Sequence, residues 1–104
     1  EGRTELDLLY EVMLKLGLQL TTKVEEKEIN GKNVFVVGHG VMVASFAKEL
    51  TYSDITKMLE YKPDYVQPGE FKVVLSDESF ASNNDKVNVM QLFKQKGITN
   101  FEII

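Results

Sequence analysis

At 104 residues the chain is long enough for one hydrophobic core and too short for two. Hydrophobic residues make up 43% and charged residues 27%, far from the composition of disordered chains, so a folded domain is expected. The balance of 12 basic against 16 acidic side chains leaves a net charge of -4, with Arg3 the single arginine, which argues against a domain that itself grips the phosphates of duplex DNA.

The absence of cysteine excludes a disulfide framework, a thiolate nucleophile, a zinc ribbon and an iron–sulfur site, and fits a reducing compartment. The apolar runs fall short of the roughly 18 to 20 residues that cross a bilayer, and no basic segment followed by an apolar one opens the chain. A cytoplasmic protein is expected. Glu1-Gly2-Arg3 lacks an initiating methionine and runs straight into a helical pattern, so residues 1–104 are expected to form a single domain cut from a larger protein.

From Thr4 to Leu16, Leu6, Leu9, Met13 and Leu16 recur at helical spacing, Thr4 and Asp7 resemble a capping box, and Gly17 supplies a stop. Leu8, Tyr10, Val12 and Leu14 are apolar as well, which leaves one polar stripe of Asp7, Glu11 and Lys15. A helix so apolar is either a core helix buried on several sides or one that offers Leu8, Tyr10, Val12 and Leu14 to another subunit or domain. Thr22 to Ile29 reads as extended, and Asn30-Gly31 before Val34-Phe35-Val36-Val37 is a hairpin signal. Gly38-His39-Gly40 then reads as a turn into a third antiparallel strand over 41–46.

Thr51 or Ser53 is expected to cap a second helix with Ile55, Met58 and Leu59 on its apolar face, ended before Pro63. Pro68-Gly69 marks a loop. Phe71 to Leu75 has the nearly continuous apolar character of a strand buried on both faces. Ser82, Asn83 or Asn84 caps a third helix carrying Val89, Met90 and Phe93, with Lys94 and Lys96 at its negative end and Gly97 as its stop, and Phe101 to Ile104 forms a last strand. The expected fold is therefore α/β, in the order helix-strand-strand-strand-helix-strand-helix-strand. It is a small mixed sheet in which an antiparallel meander is followed by two parallel crossover units.

Little of this carries chemistry. His39, the sole histidine, sits between two glycines, where it would either present a general base or simply occupy an unusual turn geometry. Gly38-His39-Gly40 leads into a strand and not a helix, so it is no phosphate loop. Asp77 follows a parallel strand, the edge where open α/β sheets bind ligands, and Asp85 is near it. The pair would serve a metal-dependent phosphoryl-transfer or hydrolase domain, or would bond loop amides and favour a helix N-terminus. Lys23, Lys27 and Lys32 would be the contacts of a nucleic-acid binder, but acids alternate with them.

Asp77-Glu78-Ser79-Phe80, Asp85-Lys86-Val87-Asn88 and Gln91-Leu92-Phe93-Lys94 together resemble the C-terminal end of the modification subunit of type III restriction systems, a bacterial DNA methyltransferase. Such proteins often close with a strand, an Asp-x-x-Phe turn, a Lys-x-Asn helix and a final strand. Leu6 to Lys15, with Gly17-Leu18, is similar to the helix before that tail, and Ile29-Asn30-Gly31-Lys32 to its hairpin, so the likeness spans nearly the whole chain. The resemblance implies methyl transfer from S-adenosylmethionine to adenine N6 by the parent protein. It also implies a second methyltransferase subunit and a helicase-nuclease restriction subunit as partners, with DNA reached through the parent. The family's Phe-x-Gly-x-Gly cofactor loop and Asp-Pro-Pro-Tyr-like tetrapeptide do not occur in this chain, since Pro63 and Pro68 stand alone. No catalytic, cofactor or metal residue is therefore assigned; Asp77, Phe80, Asp85, Lys86 and Asn88 form a structural signature.

Overall fold

Asn30 and Gly31 both adopt positive φ, 53° and 81°, and so build the two-residue turn that matches strand twist. That turn joins strands β1 (Val24–Ile29) and β2 (Lys32–Val37), which pair antiparallel from Val24 opposite Val37 to Ile29 opposite Lys32. The computed structural model describes residues 5–19, 21–80 and 82–104. After a tight turn at Gly38–Gly40, strand β3 (Met42–Ser45) returns antiparallel to β2. Helix α2 (Tyr52–Leu59) leads to β4 (Lys72–Leu75), parallel to β3, and helix α3 (Asn83–Lys96) to β5 (Phe101–Ile103), parallel to β4. The five strands lie in sequential order, and helix α1 (Glu5–Lys15) precedes them. The α/β mixed sheet expected from the residue pattern is the one observed.

Because side chains alternate across a strand, the sheet carries two separate cores. Val34, Val36, Val43, Val73 and Leu75 face Ile55 and Met58 of α2 and Val89, Leu92 and Phe93 of α3. Phe35, Val37, Met42, Ala44 and Val74 face Leu9, Val12 and Met13 of α1. Two crossovers of one hand stepping in one direction along the sheet must place both helices on the same face, which leaves α1, among the described residues, as the helix on the other. Burial on both faces explains the apolar run Val73-Val74-Leu75 that follows Lys72 in β4.

Helix ends follow local chemistry. Thr51 caps α2 in a reciprocal box with Asp54, and Ser82 caps α3 by accepting from the Asp85 amide. Ser53, Asn83 and Asn84 are not the caps. At the other ends α1 and α3 finish alike. The Gly17 amide donates to Leu14 and the Leu18 amide to Met13; the Gly97 amide donates to Lys94 and the Ile98 amide to Phe93. Both are left-handed closures in which the glycine adopts φ near 80°, 81° at Gly17 and 76° at Gly97. The box expected at Thr4 and the single Arg3 lie outside the described residues. No described helix is long and apolar enough to cross a membrane.

Candidate functional site

Asp77 opens a 3-10 turn, Asp77–Ser79, directly after β4. Its carboxylate is 73% exposed and takes Lys86 of α3 as its partner, with Nζ 3.3 Å from Oδ1. The backbone of this turn is stitched to both neighbours: the Leu50 amide donates to the Ser79 carbonyl at 2.7 Å, and the Asp77 amide to the Ile104 carbonyl at 2.8 Å. Phe80 packs, partly buried, on the core of the α2 and α3 side. Asp85 takes the Ser82 hydroxyl at 3.2 Å at the positive end of α3, and Asn88 is exposed on that helix. Each of the five signature residues except Asn88 thus has a structural task. Among the described residues no three His, Asp or Glu side chains group as metal ligands do.

His39 takes φ 60° between Gly38 at 63° and Gly40 at 105°, so the turn runs through three left-handed residues in succession. The imidazole is exposed, and it is the His39 carbonyl that accepts a bond, from the Tyr65 hydroxyl at 3.4 Å. Both glycines are constrained: a Cβ at Gly40 would lie 2.6 Å from Pro63 Cγ and one at Gly38 2.7 Å from Val41 Cγ2. Of the lysines considered for nucleic acid, Lys32 is held by Asp54 and Lys23 lies 3.6 Å from Glu25.

Helix α1 divides its apolar residues between two jobs. Leu9, Val12 and Met13 are buried against the sheet, Leu8 and Tyr10 pack beside them partly exposed, and Leu14 stands 61% exposed with Leu6 at 37%. The four contact candidates therefore do not act together. Val12, 7% exposed, is a core residue and is not available to a partner, because its position on the helix turns it to Phe35 and Met42 with Leu9 and Met13. The outward apolar positions are Leu6 and Leu14, with Leu8 and Tyr10 at the margin.

Beyond the Gly17 closure the surface continues as a shallow groove of about 290 Å³ at the entry ends of the parallel strands. Leu16, Leu18, Val41 and Met42 line it, with Glu70, Lys72 and Asn100 on its polar side. Lys72 is already engaged, 3.3 Å from Glu102 and 3.1 Å from the Asn100 side-chain oxygen.

A further polar cluster ties the hairpin to α2. Asp54 is only 1% exposed, and its carboxylate accepts from Lys32 Nζ at 2.6 Å, Asn30 Nδ2 at 2.6 Å and the Thr51 amide at 3.0 Å. Burial pushes the Asp54 carboxyl upward, but Lys32, the Thr51 backbone, Asn30 and the Thr51 hydroxyl together outweigh it and hold the group well below the usual carboxylate range. Lys32 also donates to the Glu49 carbonyl at 2.9 Å, where the backbone turns through φ 58°. Asn30 and Lys32 come from the β1–β2 hairpin and Thr51 from the cap of α2, so the cluster fastens those elements together. The residue pattern alone signals only the cap, Thr51-x-x-Asp54; the long-range partners are not visible in it.

Comparison with known proteins found no matching family model, no matching curated protein and no matching solved structure.

Proposed function

We propose that this chain is a noncatalytic assembly domain of a site-specific DNA adenine-N6 methyltransferase, the modification subunit of a type III restriction system. One observation carries the assembly part: after α1 has filled its face of the sheet with Leu9, Val12 and Met13, it still leaves Leu6 and Leu14 exposed, and the apolar groove of Leu16, Leu18 and Val41 follows at its C-terminal end. Apolar side chains grouped at a helix surface favour a protein contact, since burying each would contribute roughly 1.5 to 3 kcal/mol. The family assignment rests on the resemblance of the Asp77-x-x-Phe80 and Lys86-x-Asn88 segments and of the Leu6 to Lys15 helix.

Methyl transfer belongs, in this reading, to the parent subunit. No residue of this chain is assigned to S-adenosylmethionine in this reading, since the glycine turn at Gly38–Gly40 enters a strand and not a helix. The partners expected are the upstream methyltransferase domains, a second modification subunit or the restriction subunit, with DNA held by the parent. A metal-dependent phosphoryl-transfer role for Asp77 and Asp85 gains no support, because one carboxylate pairs with Lys86 and the other serves the α3 cap.

Sequencing the reading frame upstream of Glu1 tests the family. A Phe-x-Gly-x-Gly loop and an Asp-Pro-Pro-Tyr-like motif in that frame would support the assignment, and a frame carrying neither would remove it.

A further inference from the structure

Asn30 directly precedes Gly31, which has no side chain to shield its backbone nitrogen; the nearest atom to a Cβ built at Gly31 is Glu28 Oε2, at 3.9 Å. The Asn30 carboxamide is engaged elsewhere, donating through Nδ2 to the buried Asp54 at 2.6 Å. We propose that Asn30 is a site of spontaneous deamidation that the hairpin-to-α2 fastening protects, and that reaction there undoes the fastening permanently.

In the reaction the Gly31 amide nitrogen attacks Cγ of Asn30, forming a C–N bond as the Cγ–Nδ2 bond breaks. The Gly31 amide proton passes to the departing nitrogen, which leaves as ammonia. Water then opens the succinimide to an aspartate or, through the other carbonyl, to an isoaspartate. No oxidant, reductant or further reactant is needed. The aspartate product sets a carboxylate where a donor stood, against Asp54, and Lys32 must then serve two anions. Glu28 from β1 and Glu60, just past α2, line a hollow with Asn30 and add negative charge, and Lys57 of α2 is the cation that lines it. The isoaspartate product lengthens the main chain by one methylene within a two-residue turn that requires φ 53° and 81°.

Incubating the chain at mildly alkaline pH, folded and in urea, and following the Asn30 peptide by mass spectrometry tests the protection. Deamidation is expected to be roughly tenfold or more slower in the folded chain; equal rates would overturn the proposal. Asn30→Asp, compared with Asn30→Gly, tests the consequence, since glycine keeps the backbone geometry without a carboxylate. Asn30→Asp is expected to have the lower urea midpoint at neutral pH, and the gap to close on acidification as one carboxyl gains a proton and donates as the amide did. A gap that is absent or independent of pH overturns the proposal. Should Asn30→Asp be unfolded at neutral pH, folding regained in mild acid supports the proposal, and failure to regain it overturns it.

Discussion

A carboxylate that is 1% exposed keeps its charge only if its partners replace the water it has lost, and Asp54 has three close ones in Lys32, Asn30 and the Thr51 amide. Removing the carboxylate strands Lys32 and Asn30, so Asp54→Ala is expected to cost about 3 kcal/mol at neutral pH, read from urea unfolding. The carboxyl lies lower in the folded chain than in the unfolded one, so its stabilisation is present above the unfolded value near pH 4. It is lost as pH falls further toward the folded value. The difference between the chain and Asp54→Ala should therefore narrow below about pH 4; a constant difference would mean that Asp54 is not ionised in the fold. Only the Thr51-x-x-Asp54 cap is legible in the residues, because Lys32 lies 22 positions away and nothing in its neighbours marks it as buried. Gly40 is a second residue-scale test. Gly40→Ala meets both φ 105° and the Pro63 ring, and is expected to cost about 1 to 3 kcal/mol by thermal denaturation.

At the scale of elements, α1 is where the residue pattern is most ambiguous and the fold most informative. Apolar residues nearly all round the helix admit either a core or a contact surface, and the sheet decides between them by covering one side only. With α2 and α3 both on the opposite face, α1 has the sheet beneath it and no second helix above it among the described residues. Met13→Ala is expected to cost about 2 to 5 kcal/mol by opening a cavity. Leu14→Lys, one position along, should leave the thermal midpoint nearly unchanged, since surface substitutions fall within about 0.5 kcal/mol. Equal losses at both positions would mean that the helix is covered on both sides within the chain.

Across the whole molecule the order of elements is readable from the residues, and for physical reasons. Apolar strand runs, the glycine closures after α1 and α3 and the Asn30-Gly31 turn are all local signals, and each maps onto the observed element within a residue or two. The sequential strand order is not readable in the same way, because it depends on which edges meet in space; it follows from two crossovers stepping the same way. The site is less legible than the fold. Val12 cannot be separated from Leu14 by pattern, and the shallow groove is built by residues drawn from α1's exit, β3, β4 and the approach to β5. Such surfaces have no sequence spacing of their own.

The most direct test of the proposed assembly role is the solution mass of the protein that carries this chain, alone and with the restriction subunit that the proposal names, measured by light scattering. The subunit carrying both Leu6→Lys and Leu14→Lys would be compared with the unaltered one. The double variant is expected to fall to a smaller species, or to fail to take up its partner, while the thermal midpoint of the isolated 104-residue chain stays unchanged. A full assembly formed by the double variant would contradict a role for the outward face of α1 in holding the subunits together.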